Sequence, residues 1–139
     1  MASTIQVDIV SAESEIYSGE AEMLIASAEM GDVGIAPGHA PFISRIRPGE
    51  VTIRISGQED ELIYVSGGVL EVQPHVVTVL ADTATRAADL DEAEAIRAKE
   101  RAEEMLQDRQ AEMEYAEAQA ELIEAVAQLQ VIRKMKRGR

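Results

Sequence analysis

Residue usage changes abruptly near residues 83–88, and this change limits the possible folds more than any other feature. Eight of the nine glycines and all four prolines lie in residues 1–83, with 13 acidic and 3 basic residues. Residues 84–139 hold 13 acidic residues, 10 basic residues and 13 of the 21 alanines. Frequent turn residues mark short strands, and their absence from an alanine-rich segment marks long helices. The sequence therefore predicts an α+β chain with two domains, residues 1–86 and 87–139.

The first domain shows the alternation of half-buried strands. Ile5, Val7 and Ile9 alternate with polar residues at period two. Further strands are predicted at 23–27, 42–47, 51–55, 62–66, 69–72 and 76–81, with turns at Pro48-Gly49 and at 57–60. Short strands without intervening helices predict a small antiparallel β-sandwich or barrel.

The second domain has the pattern of packed helices. Asp89 to Glu92 resembles a helix N-cap, and a stripe of small residues follows at Ala95, Ala98 and Ala102. Small side chains let two helices approach closely, which favours an antiparallel hairpin. Residues 107–112 contain neither glycine nor proline, so a single continuous helix is the alternative.

Charge and composition exclude several classes of protein. The net charge is −13, which argues against nucleic-acid binding and against electrostatic docking on anionic lipid. The absence of cysteine removes disulfides and thiolate chemistry. The longest charge-free run, residues 33–44, is far shorter than the ~20 apolar residues that cross a bilayer. With no secretion signal at its N-terminus, the chain is expected to be soluble and intracellular, without direct membrane insertion.

The segment from Gly31 to Pro41 is the first candidate site. Three glycines and two prolines in this stretch predict a rigid, irregular loop, and the segment lacks the ending of a phosphate-binding loop. Asp32 at its tip is either a solvated turn residue or the acid of an ion pair with a partner. His39 and His75 have no third ligand in the sequence, so no metal site is predicted.

Two further motifs each have more than one interpretation. Ser66 precedes Gly67 and Gly68, but a serine hydrolase also needs a base and an oxyanion site, so a tight strand corner is the better interpretation. The basic run 133–139 either complements the helix dipole or forms an arm directed at an acidic protein surface.

Four stretches in register resemble the epsilon subunit family of bacterial F-type ATP synthases. The resemblance covers essentially the full length in the same order. The matching stretches are Val10-Ser11-Ala12-Glu13 through Tyr17-Ser18-Gly19, Gly31–Gly34 with Pro37-Gly38-His39-Ala40-Pro41, Tyr64–Pro74, and Val77–Ala84 joined to the alanine-rich tail.

This resemblance implies a flattened sandwich of about ten strands followed by a two-helix hairpin that can extend. It implies a non-catalytic rotor subunit of the central stalk that couples proton translocation to ATP synthesis. Such a subunit is a monomer within the complex, peripheral on the cytoplasmic face of the inner membrane, and it binds the gamma subunit and the c-ring. In the extended state its helices reach the alpha and beta subunits and inhibit ATP hydrolysis.

The resemblance also assigns roles to individual residues. Contact with the c-ring and gamma is expected at Gly31, Asp32, Gly34, Pro37, Gly38 and His39. Inhibitory contact with the acidic loop of the beta subunit is expected at Arg97, Lys99, Arg101, Arg133, Lys134 and Lys136.

One position departs from the family pattern. Some members bind ATP through Ile/Leu-Asp-x-x-Arg-Ala, and here Leu90, Asp91 and Ala95 match while Glu94 replaces the arginine. An acid facing phosphate repels it, unless Arg97 or Arg101 compensates. No cofactor is therefore expected, and ATP as a regulatory ligand is disfavoured.

Two other functional classes compete with this interpretation. One is a β-sandwich adaptor whose coiled-coil tail dimerises through its alanine and leucine stripes. The other is a small hydrolase that uses Ser66 or His39.

Overall fold

The computed structural model describes residues 3–108 and 112–137, which form a β-sandwich followed by two helices. This confirms the predicted α+β fold, with nine strands against about ten expected. The strands are β1 Ile5–Ser11, β2 Glu15–Ala21, β3 Met23–Ala28, β4 Gly31–Ile35, β5 Phe42–Arg54, β6 Glu61–Val65, β7 Gly68–Val72, β8 Val76–Ala81 and β9 Ala84–Arg86. A 3₁₀ turn, Ala87–Asp89, leads to α1, Glu92–Asp108, and α2, Glu112–Arg137.

The long strand β5 joins the two layers of the sandwich. Its first part pairs with β7, which continues through β8 and β1 to β2. Its second part pairs with β6 on one side and with β3 on the other, and β3 carries β4. The β1–β8 pair is parallel, and the other pairs of the described sheet are antiparallel.

The core lies between the two layers and is built from alternate residues of the strands. Aliphatic side chains fill it, in agreement with a sequence that has one phenylalanine and no tryptophan. The members of this cluster, buried and partly buried, all lie between Ile5 and Ala84, so the sandwich has a core of its own. The largest fully buried aliphatic side chains in it are Ile5, Ile9, Leu24, Ile35, Ile53, Ile63 and Leu70.

The turn predicted at Pro48-Gly49 is wrong, because both residues lie inside β5. Ile46 still pairs with β7, and from Gly49 onward the strand pairs with β6. The neighbouring strand β3 changes register at the same place, between Ala26 and Ala28. Proline has no N–H to donate, and a change of pairing partner is where a strand tolerates that loss.

The irregular loop predicted from Gly31 to Pro41 is also wrong over its first half. Residues Gly31–Ile35 form β4, which pairs with β3 in a hairpin. Two glycines and an aspartate weaken the strand signal, although Ile35 is buried in the core and Val33 packs against it. Strand β2 was not predicted either, because its apolar residues do not alternate with polar ones: Ile16 and Tyr17 are adjacent, and both pack against the core.

The two helices fold back on each other, so the hairpin alternative is the correct one. The stripe of α1 that includes buried Ala95 and Ala102 packs against α2. On α2 the facing stripe is Ala118, Ala125, Leu129 and Ile132. The predicted turn at 107–112 falls largely on residues 109–111, which lie outside the described residues. Across the described part of the chain, neither helix combines the length and apolar character needed to span a membrane.

Candidate functional site

Helix α2 also has a second apolar face, which packs on the outside of the sandwich. Tyr64 of β6, Ala87 of the 3₁₀ turn, and Ala127 and Val131 of α2 form a buried cluster that is separate from the sandwich core. Leu62, Leu90 and Met135 pack against it. We call these seven residues the docking contact. The docking contact is small, and it shares no residue with the main core of the sandwich.

The docking contact explains an unusual stretch of sequence. In β6 the side chains of Ile63 and Val65 point into the sandwich core, while Leu62 and Tyr64 point outward. A strand that is apolar on both faces must be covered on both. The run Leu62–Val65 is therefore the sequence signal for a covering helix, and the sequence analysis missed it.

Two lysines near the end of α2 hold the docked hairpin at its edges. Lys134 forms an ion pair with Glu50 of β5, and Lys136 forms one with Glu92 at the start of α1. Glu50 lies directly opposite Tyr64 in the β5–β6 register, so the first pair borders the docking contact. These are two of the six basic residues expected to contact the beta subunit.

The predicted bases of α1 are engaged within their own helix. Arg97 and Arg101 both bind Glu94, each with a nitrogen 3.1 Å from a carboxylate oxygen, and Lys99 lies 3.8 Å from Glu103. Hydrogen bonds from Arg101 and Arg97 lower the pKa of the exposed Glu94 carboxyl. The remaining predicted base, Arg133 of α2, is exposed.

The residues that match the nucleotide motif have structural roles here. Asp91 caps α1, because its Oδ1 accepts a hydrogen bond of 3.1 Å from the backbone N–H of Glu94. Leu90 packs on the docking contact, and Ala95 is buried in the hairpin. Since Glu94 holds both arginines that could compensate for the missing one, the arrangement disfavours phosphate binding.

We expect Glu94→Arg to raise the affinity for ATP at least about tenfold, because it replaces a repulsive charge by an attractive one and frees Arg97 and Arg101. Isothermal titration of ATP into the wild-type and variant chains measures the change. Glu100→Arg, an equal charge change on an exposed position of α1, is the matched control. Equal gains in both variants would mean that net charge, not this position, limits binding.

The residues expected to contact the c-ring and gamma flank β4 rather than forming one cluster. Gly31, Asp32 and Gly34 belong to β4, whereas Pro37, Gly38 and His39 follow its other end. The strand rises ~3.3 Å per residue, so about 10 Å of strand separates Asp32 from Ile35, the last residue of β4 before the Pro37–His39 loop. In the described sheet β4 pairs only with β3, which leaves one edge open.

The loop after β4 is held by backbone contacts. Gly38, with φ of +82°, donates its N–H to the carbonyl of Pro74 at 2.9 Å. The Nδ1 of His39 lies 2.7 Å from the carbonyl oxygen of Ala40, and its ring centroid lies 6.3 Å from that of Phe42. The described residues contain no group of three ligating side chains for a metal.

The turn before β4 carries a residue that the sequence analysis missed. Met30 is 97% exposed, at the tip between β3 and β4 and two residues from Asp32. Methionine is a flexible residue that is frequent at adaptable binding surfaces, so Met30 is a candidate contact residue. We call Met30, Gly31 and Asp32 the turn tip. Only its exposure identifies Met30, because one methionine between two strands gives no sequence signal.

A cleft of about 820 Å³ separates the turn-tip end of the sandwich from α2. Asp32, Arg47 and Glu50 line it on the sandwich side, and Ile123 and Lys134 line it on the helix side. Asp32 thus belongs to the turn tip and also lines the cleft that faces the docked hairpin.

The other layer of the sandwich has an uncovered apolar surface. Ile43, Val69 and Leu80 are 72%, 37% and 48% exposed on the outer face of β5, β7 and β8. Val69 and Leu80 are directly opposite each other in the register. We call these three residues the open face. Apolar groups clustered on one face mark a protein interaction surface.

Ser66 has a structural role at the strand corner. Its Oγ accepts a 2.9 Å hydrogen bond from the backbone N–H of Thr83 and lies 2.7 Å from the Thr83 hydroxyl. Gly67 and Gly68 follow with φ of +133° and +140°. These contacts favour the predicted corner over a nucleophile.

Glu124 of α2 lies within electrostatic range of Tyr64 in the docking contact and of Asp82 in the sandwich. Burial, together with Glu121 and with Asp82 of the sandwich, raises the pKa of Glu124 on α2. Burial also raises the pKa of Tyr64 to about 12, with Glu124 adding to the rise and Gln128 opposing it. Ionised Glu124 therefore opposes docking.

We expect docking to strengthen as the pH falls through the raised pKa of Glu124. The contribution of protonated Glu124 to docking is complete below pH 4.5, the ordinary pKa of a glutamate. It is lost as the pH rises through the raised pKa of Glu124 in the docked chain. Glu124→Gln should remove this dependence and favour the docked state at pH 7. The measurement is the NMR resonance of the Tyr64 ring as a function of pH in both proteins. If the two titration curves coincide, another group causes the dependence.

A β-sandwich with its own core, followed by a helical hairpin that packs on its outer surface, defines the class of α+β proteins built from a sandwich and a hairpin. A family model for the beta-sandwich domain of the ATP synthase delta/epsilon chain matches residues 4–87, and a model for its long alpha-helix domain matches residues 88–133. The chain belongs to the delta/epsilon chain family of ATP synthase, whose members are structural stalk subunits rather than catalytic ones. The family resemblance and the expected non-catalytic role are thereby confirmed.

Individual relatives agree with this assignment. The chain is 69% identical over 110 residues to the ATP synthase epsilon chain of Nitrosococcus oceani, covering 78% of each protein. It is 64% identical over 107 residues to the epsilon chain of a Janthinobacterium species, covering 76% of each.

Solved structures share the fold. A chain of the Euglena gracilis mitochondrial ATP synthase, in a structure of OSCP, F1 and c-ring, matches with a TM-score of 0.73 and 18% identity, covering 96% of this chain and 80% of that one. A chain of the Tetrahymena thermophila mitochondrial ATP synthase, in a structure of the central stalk and c-ring, matches with a TM-score of 0.61 and 15% identity, covering 96% of each.

Proposed function

We propose that the chain is a central-stalk rotor subunit that couples proton translocation to ATP synthesis and inhibits ATP hydrolysis through its hairpin. The observation that carries the inhibitory part is the docking contact. It is a small apolar cluster, separate from the sandwich core, through which α2 can be held or released. On this proposal residues 1–86 and 87–139 are the anchoring and regulatory domains.

The sandwich supplies the permanent contacts in this proposal. The open face fits the gamma subunit, because a rotor contact that persists through turnover requires apolar area. The turn tip, with its exposed methionine and carboxylate, fits the polar loops of the c-ring. The Pro37–His39 loop is held by the hydrogen bond from Gly38 to the carbonyl of Pro74. A loop fixed in this way fits a preformed contact with the gamma subunit and the c-ring. On this proposal the chain is a peripheral subunit on the cytoplasmic face of the inner membrane.

The hairpin supplies the conditional contact. When it extends toward alpha and beta, its six predicted bases are free to meet the acidic loop of the beta subunit: Arg97, Lys99, Arg101, Arg133, Lys134 and Lys136. In the docked state most of them are paired with acids of the chain itself. Because these bases are paired in the docked state, their charges support inhibition by the released hairpin and not by the docked one. ATP is not proposed as a ligand, because Glu94 occupies Arg97 and Arg101.

The test is ATP hydrolysis by an F1 complex depleted of this subunit and supplied with the full chain or with a chain ending at Ala87. The sandwich core lacks helical residues, so the truncated chain is expected to fold and bind. We expect both chains to bind and only the full chain to inhibit.

Other outcomes separate the parts of the proposal. If both chains bind and neither inhibits, the subunit couples but does not regulate. If neither binds and the full chain dimerises, the adaptor with a coiled-coil tail becomes the better interpretation.

A further inference from the structure

We infer that Glu50 and Glu92 are internal acidic partners that compete with the acidic surface of the beta subunit for Lys134 and Lys136. This inference rests on the proposed function, because it concerns how inhibition is restrained. It goes further by assigning the restraint of the hairpin to the carboxylates of Glu50 and Glu92. Each lysine then binds either its internal carboxylate or the beta subunit, but not both.

The two ion pairs restrain different movements. Lys134–Glu50 joins α2 to β5 and opposes departure of the hairpin from the sandwich. Lys136–Glu92 joins the end of α2 to the start of α1 and opposes opening of the hairpin itself. Extension of the helices requires both movements, so it requires both pairs to break.

The two uses of each lysine exclude each other by geometry. Glu50 is fixed in the sandwich, and Lys134 lies near the end of the 26-residue helix α2. A hairpin that extends away from the sandwich carries Lys134 beyond the reach of Glu50. Opening of the hairpin carries Lys136 away from Glu92 in the same way.

The exposed fractions of the four side chains indicate which ion pair contributes more to docking of the hairpin. The side chain of Glu50 is 26% exposed and that of Lys134 is 48% exposed, against 40% and 61% for Glu92 and Lys136. Exposed ion pairs are weak, and the less exposed pair is screened less by salt. We expect loss of the Lys134–Glu50 pair to shift the docking equilibrium about two- to fivefold toward release. The apolar docking contact supplies most of the affinity, and the ion pairs set the balance.

A charge swap separates docking from inhibition. Glu50→Lys places two lysines together, and we expect more release and inhibition at a lower concentration of the subunit, by about fivefold. Lys134→Glu should release the hairpin equally but inhibit less, because its acid then faces an acidic partner. The double variant Glu50→Lys/Lys134→Glu restores the internal pair in reverse. It should dock like the wild type and still inhibit less.

Docking is measured by the NMR resonance of the Tyr64 ring in the full chain, and inhibition by ATP hydrolysis of the reconstituted F1 complex. Glu20→Lys, the same charge change on the distant strand β2, is the matched control and should alter neither. Glu92→Lys and Lys136→Glu test the second pair in the same way.

Two results would overturn the inference. A Tyr64 resonance unchanged in Glu50→Lys would mean that the pair does not restrain docking. Inhibition by the double variant equal to that of the wild type would mean that Lys134 does not meet an acidic partner. The chain ending at Ala87 is assayed alongside, because inhibition by that chain contradicts the proposed function itself and not only this inference.

Discussion

Gly68→Ala is expected to prevent stable folding of the sandwich. Gly68 begins β7 with φ of +140°, a conformation that L side chains rarely adopt. A Cβ at this position would lie 2.1 Å from the carbonyl oxygen of Leu80 and 2.9 Å from the Cα of Ala81. Both obstacles are backbone atoms of β8, the strand that pairs with β7, so relief requires the two strands to separate. We expect a loss of more than about 4 kcal/mol in the free energy of unfolding.

Urea denaturation followed by circular dichroism measures this loss, and Gly57→Ala is the matched control. Gly57 also has positive φ, at +72°, but an added Cβ there meets nothing within 4 Å. Its substitution should cost only the conformational strain, about 1–2 kcal/mol. The difference between the variants isolates the clash with β8. Equal losses would show that the strand corner can shift to accept a side chain.

The sequence predicted the strands whose side chains alternate cleanly, and it missed those whose role is not visible in alternation. Ile5, Val7 and Ile9 predicted β1 correctly, because one face of that strand enters the core and the other does not. Strand β4 was missed because Gly31 and Gly34 have no side chains to alternate. The continuity of β5 through Pro48 was missed because it depends on a change of pairing partner, which is a property of three strands and not of one segment.

The candidate site could be predicted only in part, for a related reason. The bases of α2 were identified from composition, but their partners Glu50 and Glu92 are distant in sequence and become neighbours only when the hairpin docks. Glu94 was identified as a departure from the family motif, and its pairing with both Arg97 and Arg101 required coordinates. Met30 became a candidate only through its exposure.

The docking contact was difficult to predict because of the hydrophobic pattern of α2. Helix α2 carries one apolar stripe toward α1 and another toward the sandwich. Two stripes on one helix weaken the simple amphipathic pattern that sequence analysis relies on. A helix of this kind is expected to have two structural partners, and in this chain they are α1 and the sandwich.

Val131→Asp is expected to release the hairpin while leaving both the sandwich and the hairpin folded. Val131 is 2% exposed in the docking contact, and burial of a valine side chain contributes about 1.5–3 kcal/mol. A carboxylate in its place costs several kcal/mol more to bury. Docking would therefore be lost, because the hairpin avoids that cost by leaving. The sandwich core contains no residue of α2, so the sandwich itself should remain stable.

Three measurements check this expectation against the exposed neighbour variant Gln130→Asp, which should behave as the wild type. In Val131→Asp the Tyr64 ring resonance should move to its solvent-exposed position, and proteases should cut the connection at residues 87–91 faster. Circular dichroism should show unchanged helix content. If the released hairpin is the inhibitory form, this variant should also inhibit ATP hydrolysis at a lower concentration than the wild type. A released hairpin that inhibits less would instead assign inhibition to the docked form, and the direction of the proposed regulation would have to be reversed.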